Sequence, residues 1–209
     1  MKTVVFVFAS IFSLLSSFGY AQTAKDVFSP KTEITWLGLD FTAAKFPGDR
    51  ERMGTETDLR KLLATWNNLM MIEPDKFDVG KALDRPPLKN EIPMTMKHNE
   101  GLNLSQPDDF KKTVMTKEDI STIVNSYDFN SLSGVGLLFV VESFSKIEGK
   151  AFIWVTFINL SNKEVLFTER MTGAPSGFGV RNYWAGAVYG VIKQMKSKYG
   201  TWRKKYGAK

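Results

Sequence analysis

The sequence predicts an α+β protein, a mainly antiparallel sheet with a three-stranded C-terminal meander covered by about three helices. Three observations point there. Three strand-like runs follow one another in the second half, SGVGLLFVVESFSK, GKAFIWVTFINL and KEVLFTERM. Two capping-box pairs, Thr55 with Asp58 and Thr116 with Asp119, each precede apolar residues at helical spacing. Trp184, Val188, Val191, Met195 and Tyr199 then form a single helical stripe near the C-terminus.

Residues 1–21 come before any of these elements. Lys2, the apolar run 4–15 and the small residues Gly19 and Ala21 read as a secretory signal cut after Ala21. The run is too short for a span, which needs about 20 apolar residues. The rest of the chain is expected to be a single α+β domain, 22–209, soluble and periplasmic or secreted. It is long enough to bury a core without disulfides. There is no cysteine, which excludes a lipid-attachment residue, a thiol nucleophile and thiolate metal sites.

Residues 32–41, TEITWLGLDF, are short and rich in β-branched and aromatic side chains, so they read as a buried strand. FPGDRE turns the chain into the first capped helix, whose apolar face is Leu59, Leu62, Leu63, Trp66 and Met70. Segment 73–112 reads as irregular, because it holds five of the eight prolines, Pro74, Pro86, Pro87, Pro93 and Pro107. Within it, Ile92, Met94, Met96 and His98 alternate with Pro93, Thr95 and Lys97, the pattern of a strand with one covered face. The second capped helix presents Ile120, Ile123, Val124 and Tyr127.

The three strand-like runs are joined at 147–149 and 160–162, short enough for hairpins. The last helix is placed from about Asn182, a good N-cap residue. Gly200 is a natural stop for it, yet Trp202 and Tyr206 continue its stripe, so a helix running through Gly200 at a cost of roughly 1 kcal/mol also fits. The tail 200–209 is basic and aromatic. From Lys193 onward there are seven cations and no acidic residue, within a chain of net charge +6. Such a tail is usually a solvated face; a membrane surface is the weaker reading, and export argues against nucleic acid as partner.

Composition narrows the chemistry. His98 is the only histidine, so a Ser-His-Asp triad or a two-histidine metal site has almost nothing to work with. No cofactor and no metal site is predicted. Carboxylate catalysis needs only two Asp or Glu. The candidates are Asp40 at the end of the first strand, Glu142 inside LLFVVESF, and Glu169. Glu142 falls equally well on a covered face, on a solvent face, or opposite Arg170 in a cross-strand pair.

The glycine-rich stretch RMTGAPSGFGVRNYWAG, 170–186, invites comparison with phosphate cradles. Phe178 stands where a Walker loop needs its second glycine, and Asn182 where a dinucleotide fingerprint needs its third. Ser176 is flanked by Ala174 and Phe178 rather than by the glycines of a nucleophile elbow. Two readings remain. Ser176, Arg181, Asn182 and the freed amides of a helix N-terminus form a small-anion site, or the glycines serve a strand-to-helix reversal stapled by Tyr183 and Trp184.

The second half, from GLLFVVESF through the turn at 159–166 to the packing helix, resembles the small α/β module of the TolB amino-terminal domain and of the outer-membrane lipoprotein activators of peptidoglycan synthases. The run GFGVRNYWAG also resembles an exported group from Bacteroidetes. The resemblance implies a non-catalytic envelope module that binds a protein or cell-wall partner. The chain departs from that family in lacking a lipid-attachment cysteine, in having no room for a β-propeller, and in its proline-rich middle. No functional residue carries over. The alternative is a secreted carboxylate-dependent hydrolase.

Overall fold

A computed structural model describes residues 22–104, 114–129 and 132–207. The signal peptide reading on 1–21, the end of the proline-rich segment and the last two residues of the tail lie outside them. The chain runs β1 (Ile34–Asp40), α1 (Glu56–Ile72), α2 (Val79–Ala82), β2 (Lys89–Asn90), α3 (Ile92–Glu100), α4 (Lys117–Ser126), β3 (Val135–Ser145), β4 (Lys150–Asn159), β5 (Val165–Gly173) and α5 (Gly179–Tyr206).

The fold is α+β, and the five strands form one sheet in the order β2-β1-β3-β4-β5. The antiparallel meander β3-β4-β5 is present, and it is extended by β1, which runs parallel to both β3 and β2. Five helices among the described residues accompany it, more than the three expected, because the proline-rich segment contributes α2 and α3.

Both capping boxes form, with the Thr55 and Thr116 hydroxyls accepting from the Asp58 and Asp119 amides. One expectation is overturned: the alternating run 92–98 is helix α3. Pro93 sits in the first turn, where its missing N–H is no loss, so the proline that spoiled a strand starts a helix well. Ile92, Thr95 and Asn99 are its buried residues, at +3 and +7. Alternation over so short a stretch did not separate the two periods.

α3 covers the edge of β1, a strand paired with β2 only through Thr35 and Trp36. Beyond that point two buried asparagines replace the missing neighbour. Asn67 accepts from Leu39 N at 2.8 Å and donates to Leu39 O at 2.9 Å; Asn99 donates to the same carbonyl at 2.9 Å and accepts from Phe41 N at 3.0 Å. The edge is thereby closed to another strand. Gly38 makes the approach possible: it sits at φ 91° in a bulge, and a Cβ there would lie 2.5 Å from Asn67 Oδ1.

The two faces of the sheet bury separate cores. On one, α1, α2 and α5 pack against Trp36, Leu39, Phe139, Val141, Phe144, Val155, Phe157 and Phe167. On the other, α4 with Tyr127 and Phe129 covers Leu37, Leu138, Val140, Trp154 and Ile158. α5 begins three residues before Asn182, with Phe178 rather than Asn182 at its N-cap, and it runs through Gly200 to Tyr206. The aromatic tail is therefore helical: Trp202 is buried, and Tyr206 stacks on Phe167 with ring centroids 4.6 Å apart.

Candidate functional site

Asp40 is the last residue of β1 and is completely buried. Its carboxyl accepts from the Tyr127 hydroxyl at 2.5 Å and from the Thr42 amide and hydroxyl at 2.9 and 3.0 Å. The turn to Thr42 brings two of those donors, and the C-cap of α4 brings the third. Burial pushes the Asp40 carboxyl above the ordinary Asp range, against the opposing pull of these hydrogen bonds and of His98. Burial and the neighbouring Asp40 charge push the Tyr127 hydroxyl upward as well.

His98 joins this pair. Its ring stacks on Tyr127 with centroids 4.0 Å apart, and its Nε2 lies 3.9 Å from Asp40 Oδ2 and 3.5 Å from Ser126 Oγ. The buried Thr95 hydroxyl of the same helix lies close enough to the Tyr127 hydroxyl to oppose part of that upward push. Sequence reasoning missed Tyr127 as a partner of Asp40, since they stand 87 positions apart. The alternating pattern places His98 on a strand; on the helix α3 it meets Ser126 and Tyr127 at the end of α4.

Glu142 occupies the bulge of β3, where the register with β4 shifts. Arg170 grips it through both forks, Nε to Oε2 at 2.7 Å and Nη2 to Oε1 at 2.6 Å, and the Trp154 indole donates to Oε2 at 2.9 Å. Arg170 is itself stacked over the Phe152 ring at 4.2 Å, and its bond to Glu142 raises its already high pKa further. Glu142 is buried and pairs with Arg170 across the intervening β4, so the covered placement and the pairing with Arg170 hold together.

Glu169 lies on the opposite face of the sheet, toward α5, where it accepts from the Trp202 indole at 2.5 Å and pairs with Lys198. Asp40 and Glu142 share the α4 face, each held by its own donors. All three candidate carboxylates are therefore occupied by protein hydrogen bonds, and no group of three or more His, Cys, Asp and Glu suited to a metal ion occurs among the described residues.

The residues of the loop before α5 take separate paths. Ser176 donates its amide to the Tyr183 carbonyl and lies against Gly186, where a Cβ would come within 2.2 Å of the Ser176 oxygen. Arg181 is exposed and donates from Nε to Asn182 Oδ1 at 3.1 Å; its carbonyl receives the Trp66 indole. Trp184 docks the helix. It is fully buried, stacks on Phe144 at 4.9 Å, and donates to the buried Asp49 carboxylate at 2.7 Å. Tyr183 is half-buried beneath Lys146 Nζ, 4.1 Å from its ring.

This end of the sheet exposes two large apolar side chains among charged and polar neighbours. Phe178 is 95% exposed and Ile147, at the β3–β4 turn, is 71% exposed. A groove of about 380 Å³ between α1 and α3 is lined by Leu63, Ala64 and Met96, with Arg60, Lys61 and Glu100 at its rim. No helix among the described residues is long and apolar enough to cross a membrane. No protein family, curated protein or solved structure matches the chain.

Proposed function

We propose that the protein is an exported, periplasmic or secreted, envelope component that acts as a non-catalytic binding module for a protein or cell-wall partner. The leader-like residues 1–21 and the resemblance of the second half to envelope modules support export and the class of partner. The observation that carries binding is Phe178, held almost wholly in water at the head of a firmly docked helix, with Ile147 on the adjoining turn. Aromatic side chains are enriched at protein interfaces, and one left uncovered on a rigid element is available to a partner. A hydrolase would need a carboxylate free to reach substrate, whereas Glu142, Glu169 and Asp40 each satisfy neighbouring side chains.

The test is site-specific photo-cross-linking from position 178 in cells expressing the full chain. The expected result is a discrete adduct with an envelope component, lost when the probe is moved to exposed Lys117 at the start of α4, on the other face of the sheet. Retention of the chain in the cytoplasm, or hydrolysis of ester or glycoside substrates that disappears in Asp40→Asn, overturns the reading.

A further inference from the structure

α5 contains no Asp or Glu in its whole length, and its solvent side is built as a cationic ridge. At 100° per residue, Lys193, Lys196, Ser197, Gly200, Arg203 and Lys204 fall within an arc of roughly 120°. All six are exposed. Lys198, to one side, is held by Glu169, but Lys196, Arg203 and Lys204 have no ion-pair partner among the described residues, and Lys193 only overhangs the Tyr189 ring. The four cations run for about 16 Å along the helix axis.

The centre of the ridge is low. A Cβ on Gly200 would meet nothing within 4 Å, and the short Ser197 stands one turn before it. Cations therefore flank a shallow strip where an extended polymer can approach the helix backbone. Met195, Tyr199 and Trp202 of the same helix face the core, while Tyr189 is half-buried beneath Lys193. This ridge has no fully exposed apolar side chain to insert into lipid, and its one ring, the half-buried Tyr189, is covered by Lys193 rather than open to a base.

We propose that the exposed face of α5 binds a linear anionic polysaccharide, its regularly spaced carboxylates or phosphates bridging Lys193, Lys196, Arg203 and Lys204. The proposal rests on the envelope-binding reading for its class of partner and adds the surface that takes it.

The test measures binding of the purified mature protein to polygalacturonate, with neutral amylose, phosphatidylglycerol vesicles and oligo-dT as comparison probes. Saturable binding to polygalacturonate is expected, with log K falling against log salt at a slope of about −2 to −3, as release of counterions by four cations requires. K196E/R203E/K204E should weaken it by about tenfold or more, while K61E/K97E/K117E, which makes the same change in net charge on α1, α3 and α4, leaves most of it. K196Q/R203Q/K204Q serves if the charge-reversed chain does not fold.

Equal losses in both triple variants, tighter binding to vesicles or oligo-dT than to polygalacturonate, or no binding at all overturn the proposal. Cross-linking from position 178 is independent of the ridge. An adduct there without glycan binding discards the ridge alone, and cytoplasmic retention discards the envelope reading whatever the ridge binds in solution.

Discussion

Three buried carboxylates and the half-buried Glu169 have a common occupation, which is to accept hydrogen bonds from aromatic side chains. Asp49 takes the indole of Trp184, Glu142 that of Trp154, Glu169 that of Trp202, and Asp40 the hydroxyl of Tyr127. Large amphipathic rings bring apolar area to a core, and each carries one polar atom that must be satisfied there. Removing Glu142's charge breaks this arrangement twice, at Trp154 and at Arg170. Glu142→Gln should cost about 1–3 kcal/mol, less than for a fully buried pair because Arg170 keeps some contact with water, and urea unfolding reads it. Asp40 gives a pH signature. Its folded-state pKa lies above the unfolded value, so the folded chain holds the proton more tightly. Its contribution to stability is then complete below the unfolded pKa and is lost as pH rises through the folded one. Unfolding free energies of the native chain and Asp40→Asn should diverge as pH rises from 4 toward neutrality, the native chain losing ground. A gain for the native chain over that range would mean that Asp40 is stabilised as the anion. Arg181→Ala, by contrast, removes only an exposed bond to Asn182 and should change stability by less than about 0.5 kcal/mol. If the loop holds an anion, the same substitution abolishes the rise in melting temperature that phosphate gives.

Single elements show why some of this was legible and some was not. The capped helices α1 and α4 and the meander could be read from short-range chemistry: a cap, a period and a turn each act over a few residues. The run at α3 misleads because seven alternating positions that include a proline satisfy both a strand and the first turns of a helix, and the deciding factor is long-range. Asn99 is needed by the backbone of β1, and only a helix delivers it there. The same limit applies to Asp40 and Tyr127, whose meeting depends on the packing of α4 across the sheet. α5 separates two kinds of glycine that look alike in sequence. Gly186 lets the 174–178 loop lie against the helix, and Gly200 faces open solvent. Gly200→Ala should therefore stabilise the protein by about 1 kcal/mol through helix propensity, whereas Gly186→Ala should destabilise it by about 1–3 kcal/mol by pushing the loop away. Thermal melts of the two variants should move in opposite directions, and a loss of stability in Gly200→Ala would show that the helix does not run through that point.

At the scale of the molecule, the sheet divides the protein into two unequal halves. The α1/α5 face locks together an interleaved aromatic cluster, in which Trp66 and Trp184 both meet Phe144, and α5 closes its far end with Trp202 and Tyr206. The α4 face is thinner: one ten-residue helix supplies Ile120, Ile123 and Val124, and the chain after it supplies Tyr127 and Phe129. Less apolar area buried per residue means that less free energy opposes local opening. α4 is also anchored at its C-terminal end by Tyr127, whose hydroxyl is bound to the one carboxyl that burial most disfavours in its charged form. Native-state hydrogen exchange should therefore find the amides of α4 opening as a unit at lower free energy than those at the centre of β3 and β4. Tyr127→Phe, which deletes the bond to Asp40 but keeps the ring, should lower the opening free energy of α4 by about 1–2 kcal/mol and leave that of α5 nearly unchanged. Equal losses in both helices would mean that the two faces unfold together, and that the sheet does not divide the fold into separate cooperative units.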